Sequence, residues 1–265
     1  MSRRTALITG ASSGIGEAFA GVFAARGFDL VLTARRGDRL DQVASRLRAQ
    51  HGCRADAIVL DHAERSAVDR LCAELDARGI TVDVLVNNAG YGVPGLYADV
   101  PWDVQAPMLQ VMVVGLCELT RRLWPGMLQR GYGRVINVAS LAGLVPAPAG
   151  HTLYGATKAF LIKFSEALAH EGRAYGVNVT ALCPGFTVSE FHDVTGTRAQ
   201  MNRLPKWFWL DAPTVAQMGF DAVERGQVIC VTGRVNRTIA LLVRMMPQAI
   251  VEAVGTRMGR SYRKT

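Results

Sequence analysis

The sequence lacks any stretch of about 18 consecutive apolar residues, which is the length that a membrane-spanning helix requires. The apolar run in the opening MSRRTALITG is too short for the core of a signal peptide. We therefore expect a soluble, cytoplasmic protein. Cysteine is also scarce, and its five positions are odd in number and show no CxxC spacing: Cys53, Cys72, Cys117, Cys183 and Cys230. We expect reduced, structural thiols.

Acidic residues are fewer than basic ones, 22 against 30, so the formal net charge is +8. Such an excess can indicate a nucleic-acid surface. However, residues 234–265 contain seven Lys or Arg and the single acidic residue Glu252, so they carry six of these eight charges. The first 233 residues are close to neutral, and we expect no nucleic-acid partner.

Short β-branched apolar runs alternate with segments of helical apolar spacing along the 265 residues. The predicted strands are 5–9, 28–33, 55–60, 82–86, 135–139, 177–182 and 228–231. Such alternation predicts an α/β fold, with a doubly wound, seven-stranded parallel sheet and helices on both faces. We assign residues 1–233 to this single domain and residues 234–265 to a basic helical tail.

The first predicted strand runs into the glycine-rich turn GASSGIG and then into a helical pattern. Glycines let the backbone approach a pyrophosphate, and the first turn of a helix offers unpaired N–H groups. The candidate phosphate-binding residues are Gly10, Ser12, Ser13, Gly14, Ile15 and Gly16. Because the spacing is GxxxGxG, not the more familiar GxGxxG, a tight connection without a ligand is the alternative.

Arg35 and Arg36 follow the second predicted strand, where an Asp or Glu would bind a ribose 2′-hydroxyl. A guanidinium suits a 2′-phosphate instead, and we assign this role to Arg35. The alternative is that both arginines are simply solvated at the start of a helix. Asp61 ends the third strand, where its side chain would reach an adenine.

Ser140 follows the fifth predicted strand, and a loop rich in Pro and Gly leads from it to a helix that carries Tyr154 and Lys158. These two residues are four apart, so they share one helix face. A neighbouring cation lowers the pKa of a phenol. A serine hydroxyl can stabilise a carbonyl oxygen while the phenol transfers a proton to it. The three residues predict a proton-transfer site; an ordinary exposed helix pair is the alternative.

Together these motifs resemble the short-chain dehydrogenase/reductase family. The matching stretches are TGASSGIG at 9–16, Asp61, NNAG at 87–90, residues 137–140, YGATK at 154–158, and Pro184-Gly185 with Thr187. The resemblance implies a Rossmann-type fold and NAD(P)-dependent hydride transfer between an alcohol and a carbonyl. It makes Tyr154 the acid/base, Lys158 the ribose-binding and tuning residue, and Ser140 the group that polarises the carbonyl. Arg35 resembles its counterpart in NADP-preferring members.

The resemblance also implies cofactor contacts from Asn88, Ala89, Gly90, Pro184, Gly185 and Thr187, and from Tyr154 and Lys158 themselves. It further implies a homodimer or homotetramer formed through the helix at 102–129 and the Tyr154 helix. That first helix contains Pro107 and Pro125, so we expect broken ends around an unbroken middle. Met112 stands where the family usually has an asparagine that holds a relay water. A thioether has no donor, so we expect reduced activity supported by another water.

Residues 186–211 are rich in large apolar groups, including Trp207, Phe208 and Trp209, and we predict a lid over an apolar substrate. Packing is the alternative role of these aromatic residues. His151 and His192 are each more typical of partly exposed polar residues than of substrate contacts. Neither has ligand spacing to another His or Cys, so we predict no metal site.

The tail places apolar residues at helical spacing between Arg237 and Arg244, and Pro247 should divide it into two helices. It either contacts an anionic membrane surface or packs on protein. The favoured function is an NADPH-dependent carbonyl reductase, reversible as an alcohol dehydrogenase, acting on an apolar, lipid-like ketone. The alternatives are a weakly active NADP-binding sensor or scaffold, and a membrane-surface adapter that works through the tail.

Overall fold

A computed structural model describes residues 3–188, 205, 208–247, 249–251 and 253. The strands are β1 (Thr5–Thr9), β2 (Asp29–Ala34), β3 (Ala55–Val59), β4 (Val84–Asn87), β5 (Gly133–Val138), β6 (Val177–Cys183), β7 (Thr187–Val188), β8 (Leu210–Asp211) and β9 (Ile229–Val231). Seven of them form a parallel sheet in the order β3-β2-β1-β4-β5-β6-β9, and β7 pairs with β8 separately. The predicted seven-stranded parallel sheet is confirmed.

The helices are α1 (Gly14–Ala25), α2 (Gly37–His51), α3 (Ala67–Ala77), α4 (Trp102–Leu109), α5 (Gly115–Arg130), α6 (Thr152–Gly172), α7 (Ala212–Glu224) and α8 (Arg234–Met245). They cover both faces of the sheet. One core joins α1, α2 and α7 to strand residues such as Ile8, and the opposite core joins α3 and α5 to residues such as Leu7. Because both faces are buried, the strands have continuous apolar sequences.

A π-helical turn, Gln110–Val114, separates α4 from α5. Our prediction of broken ends around an unbroken middle is therefore wrong. Pro107 lies inside α4 and Pro125 inside α5, so neither end is broken, and only the hydrogen-bond pattern changes in the middle, where the Gly115 N–H donates to the Gln110 carbonyl five residues earlier. A π turn adds one residue to the helix without breaking it, so neither proline position nor apolar spacing revealed it.

The strand order reverses beside β1, because β2 and β4 lie on its two sides. In doubly wound sheets, ligands bind at this switch point, outside the carboxyl ends of the strands. Four of the motifs described above follow carboxyl ends: the glycine turn follows β1, Arg35 follows β2, Asn88 follows β4 and Ser140 comes soon after β5. The topology therefore collects them along one edge of the sheet.

All five cysteines are free, and all but the partly exposed Cys117 are buried. This agrees with the expected structural thiols. In the described part of the chain, none of the helices has both the length and the apolar character that crossing a membrane would need.

Candidate active site

The glycine turn is held against the segment that follows β4. Nδ2 of Asn88 donates to the carbonyl oxygens of Thr9 (2.9 Å) and Gly10 (3.2 Å). Oγ1 of Thr9 accepts from the backbone N–H groups of Asn88 and Ala89, both at 3.0 Å. Asn88 was expected to contact the cofactor, and the structure shows that its side chain also fixes the turn. Sequence reasoning overlooked Thr9, although a hydroxyl directly before the first glycine was visible.

Two glycines of this turn have backbone conformations that favour glycine, since φ is +68° at Gly10 and +60° at Gly14. Gly16, in the first turn of α1, is required by close contact: a Cβ there would lie 2.5 Å from Nδ2 of Asn88. These glycines therefore leave the backbone without side chains where α1 begins. Such a cradle fits the pyrophosphate of a dinucleotide, because the N–H groups and dipole at a helix start attract an anion.

Arg36 lies across the mouth of the glycine turn. Its Nη2 donates to Oγ of Ser13 at 2.7 Å and to Oγ of Ser12 at 3.2 Å. Burial raises the pKa of Tyr91, and the charge of Arg35 partly offsets this rise. The structure therefore places the guanidinium group of Arg36 beside the turn. We assigned a role to Arg35 alone, although the consecutive arginines gave a signal for both.

Asp61 lies two residues beyond β3, and its Oδ1 accepts from the Ala63 N–H at 3.0 Å. The next residue, His62, forms a 2.8 Å hydrogen bond between Nε2 and Oγ1 of Thr33 at the end of β2. Burial lowers the pKa of His62 to about 4, against a smaller opposing effect of Asp61, so the imidazole is neutral at physiological pH. His62 thus joins the ends of two strands and supports Asp61 at the predicted adenine side, a role that sequence reasoning missed.

The structure brings Ser140, Tyr154 and Lys158 together. Ser140 lies two residues after β5, and its Oγ accepts from the Ala142 N–H at 3.1 Å. The Ser140 side chain also hydrogen-bonds the Tyr154 phenol in the first turn of α6. One turn later, Nζ of Lys158 lies 5.6 Å from the centre of the Tyr154 ring. The three predicted catalytic side chains therefore share one site.

The pKa of Tyr154 differs from our prediction. Burial raises it, and the hydrogen bond from Ser140 offsets only part of this rise. We expected the Lys158 ammonium to lower the pKa, but Nζ donates instead to the carbonyl oxygen of Val138 at 2.7 Å. Burial also lowers the pKa of Lys158, to about 8. Burial favours the neutral form of both groups, so the phenol stays protonated at neutral pH.

The turn after Ser140 packs directly on α6. A Cβ at Gly143 would lie 2.6 Å from the carbonyl carbon of Lys158 and 2.8 Å from the nitrogen of Ala159. In addition, the Leu141 N–H donates to the carbonyl oxygen of Pro184 at 2.8 Å. Gly143 therefore sets how closely Ser140 approaches the helix that carries Tyr154. We did not predict this role from the sequence, because a single glycine in a loop does not reveal which backbone it touches.

The Pro184 to Thr187 segment follows β6 at the same edge. Thr187 is buried, and its Oγ1 donates to the carbonyl oxygen of Gly185 at 3.3 Å. Asn236, in the first turn of α8, is also buried and donates through Nδ2 to the Thr232 carbonyl at 2.7 Å. A Cβ at Gly185 would lie within 3 Å of this Asn236 side chain. The base of the tail helix thus supports the predicted nicotinamide segment, which sequence reasoning missed.

Met112 forms a buried apolar cluster with Met108 and Val111, and Leu153 and Tyr154 pack against this cluster. Met112 also lies against Gly90. A nearby cavity of about 10 Å³ has room for about one water molecule. It is lined by Thr9, His62, Asn87, Ala89, Val111, Gly115, Leu116 and Leu119, so it does not reach Tyr154 or Lys158. The alternative relay water that we expected therefore stays a prediction.

The two ends of the predicted lid, residues 186–211, meet beside Thr187, where β7 pairs with β8. The rings of Phe186 and Trp209 lie 5.7 Å apart. The predictions that involve Phe191, His192, Met201, Leu204 and Trp207 lie outside the described residues.

His151 immediately precedes α6, its ring centre is 6.5 Å from that of Tyr154, and burial lowers its pKa.

The sequence profile of the family described as short chain dehydrogenase matches residues 4–199. The chain belongs to the short-chain dehydrogenase/reductase family. Among its relatives, the very-long-chain 3-oxoacyl-CoA reductase of Anas platyrhynchos is 37% identical over 196 residues, which are 72% of this chain and 62% of that protein. The chain thus aligns with less than two thirds of that relative's length.

Solved structures of family members agree with this membership. A short-chain dehydrogenase from Sphingobium yanoikuyae in complex with NADPH is 31% identical, with a TM-score of 0.80 and coverage of 93% of this chain and 97% of that one. The bulky-bulky ketone specific alcohol dehydrogenase from Comamonas testosteroni is 28% identical, with a TM-score of 0.77 and coverage of 94% and 97%. The family binds nicotinamide cofactors.

Proposed function

We propose that the protein is an NADPH-dependent carbonyl reductase, reversible as an alcohol dehydrogenase, and that its substrate is an apolar, lipid-like ketone. The observation that carries this proposal is the hydrogen-bonded pair of Ser140 and Tyr154, with Lys158 one turn away, at the same sheet edge as the glycine turn. A protein that only binds the cofactor needs the glycine turn, but it does not need the hydrogen-bonded pair of Ser140 and Tyr154. The pair therefore favours an enzyme over a sensor or scaffold.

The bound nicotinamide cofactor supplies the hydride in this reaction. Tyr154 gives its phenolic proton to the substrate oxygen, and the raised pKa of Tyr154 keeps that proton in place at neutral pH. Ser140 donates a hydrogen bond to the same oxygen and stabilises the charge that develops there. Lys158 and Thr187 would hold the nicotinamide half of the cofactor. Reduction is then the direction that neutral pH favours, because oxidation requires the phenolate.

Arg35 and Arg36 are proposed to bind the 2′-phosphate that distinguishes NADPH from NADH. Arg36 already contacts Ser12 and Ser13 at the glycine turn, so its guanidinium is held where the adenosine end of the cofactor would bind. Fork-shaped guanidinium groups match the geometry of a phosphate. The relative from Sphingobium yanoikuyae was solved in complex with NADPH, which supports the same preference here.

Arg35→Asp and Arg36→Asp are each expected to lower the NADPH over NADH preference in kcat/KM by about tenfold or more, because each change removes a charge-assisted hydrogen bond and adds a repelling carboxylate. Initial rates with both cofactors measure the preference. Arg48→Asp, at the far end of α2, makes the same change in net charge away from the turn and should leave the preference unchanged. An intact preference in both variants would remove the phosphate assignment.

The proposed apolar substrate rests on Phe186 and Trp209, whose rings lie together at the end of the lid segment beside Thr187. The names of two relatives support this substrate class, since one is a very-long-chain 3-oxoacyl-CoA reductase and the other a bulky-bulky ketone specific alcohol dehydrogenase. Two aromatic rings next to the predicted nicotinamide segment can recognise apolar carbon by burying it.

The test is NADPH oxidation with 2-alkanones of increasing length, bulky aryl ketones and the polar ketose sorbose. We expect kcat/KM to rise with apolar size by up to about fourfold per added CH₂ group until the pocket is filled, because each buried CH₂ contributes about 0.8 kcal/mol. Sorbose should be a poor substrate. A preference for sorbose would contradict the substrate class, and NADPH binding without turnover of any ketone would favour the sensor or scaffold.

We also propose a homodimer or homotetramer formed through α4, α5 and α6. The exposed side chains of Trp102, Val104, Val114 and Phe160 on and between these helices support this interface. We also propose that the protein is cytoplasmic. We further propose that the domain ends at residue 233, where the tail begins.

A further inference from the structure

The tail helix α8 carries apolar side chains that the rest of the described chain leaves uncovered. Leu241, Leu242 and Met245 are 58%, 52% and 75% exposed, and exposed Met246 and Ile250 continue the series. Positions 241, 242 and 245 have the spacing of one helix face. Of the two placements predicted from the sequence, packing on the body does not cover this face within the described residues.

The charges next to this apolar face limit which kinds of partner surface can cover it. Arg237 and Arg244 lie one turn from Leu241, and residues 234–245 contain no acidic residue. Residues 234–265 as a whole hold seven Lys or Arg against one Glu. The same face of a second copy would carry the same charge, so pairing between two such helices is unfavourable. An anionic surface with an apolar interior matches both properties.

The helix is anchored at the edge of the sheet that holds the active site. It begins at Arg234, three residues after the carboxyl end of β9. Its buried residue, Asn236, packs against Gly185 in the predicted nicotinamide segment. The amino-terminal end of α8 is therefore held at the active-site edge of the sheet.

We propose that α8 docks the protein on an anionic membrane surface. Leu241, Leu242 and Met245 enter the boundary between headgroups and acyl chains, and the arginines contact the headgroups. The active-site edge then lies at the lipid surface, where an apolar ketone is concentrated. This last step rests on the proposed function, whereas the docking itself needs no catalysis.

The test is cosedimentation of the full chain with vesicles of zwitterionic phosphatidylcholine, alone or with phosphatidylglycerol. We expect binding to the anionic vesicles that 0.5 M salt weakens. Leu241→Glu/Met245→Glu should reduce binding tenfold or more. Arg234→Ala/Arg244→Ala should reduce it by roughly thirtyfold, from about 1 kcal/mol for each basic residue near the surface. Tyr175→Glu is the matched control, because Tyr175 is equally exposed but lies before β6 at the opposite edge; its binding should equal that of the wild type.

Ketone reduction in solution, measured without vesicles, separates this inference from the proposed function. Leu241→Glu/Met245→Glu should keep the NADPH affinity and turnover of the wild type, which shows an intact fold. Unchanged vesicle binding in both double variants, equal binding to zwitterionic vesicles, or no binding by the full chain would overturn the docking while leaving the reductase proposal in place. Self-association in light scattering that Leu241→Glu/Met245→Glu abolishes would show that a second copy covers the face, and would also overturn it.

Discussion

Tyr154→Phe is expected to lower kcat/KM for ketone reduction by about 10²–10⁴-fold, because the phenolic proton is the one that the substrate oxygen receives. Phenylalanine keeps the ring and its contacts with the Met112 cluster and removes only the hydroxyl that Ser140 hydrogen-bonds. The affinity for NADPH, measured by fluorescence titration, should change little. A loss confined to turnover would identify a chemical role for the hydroxyl.

Tyr175→Phe serves as the control for this variant, since it removes an exposed hydroxyl at the opposite edge and should keep full activity. The wild type supplies a second readout through its pH profile. Because the pKa of Tyr154 lies above its ordinary value of about 10, loss of the phenolic proton should slow reduction only in strongly alkaline solution. If Tyr154→Phe retained more than a tenth of the wild-type activity, another group would have to donate the proton.

The sheet could be predicted because each strand is marked by its own short apolar run in the sequence. Residues such as Leu7 and Ile8 are buried on opposite faces of one strand, so the strand had to be apolar at every position. Once the strands are parallel, their carboxyl ends share an edge. The order of strands and helices therefore placed three residues at that edge without any prediction about their side chains: Ser140, Asn88 and Arg35.

The unpredicted features depend on contacts between residues distant in sequence. Asn236 supports Gly185 from 51 positions away, and nothing near either residue in the sequence indicates this contact. The π turn that contains Met112 adds one residue to a helix whose apolar spacing otherwise looks regular. The pKa of Tyr154 was predicted in the wrong direction because the spacing to Lys158 was visible in the sequence, whereas the burial that raises this pKa was not.

Gly16→Ala is expected to lower the affinity for NADPH by roughly tenfold or more and the free energy of unfolding by about 1–3 kcal/mol, the usual cost of overpacking a tight contact. The new Cβ would lie within 3 Å of the Gly10 carbonyl and 2.5 Å from Nδ2 of Asn88. These groups cannot move apart freely, because Asn88 bonds the carbonyl oxygens of both Thr9 and Gly10. The turn would therefore have to widen, and its N–H groups would no longer point toward the pyrophosphate.

Gly21→Ala provides the control within the same helix. A Cβ at Gly21 meets no atom within 4 Å, so the substitution adds only helix propensity and should raise stability by up to about 1 kcal/mol without changing NADPH affinity. Calorimetric titration with NADPH and urea unfolding measure both quantities for the two variants. If Gly16→Ala bound NADPH as tightly as Gly21→Ala does, close approach of the backbone would not be what the glycine turn provides, and α1 would not be the pyrophosphate site.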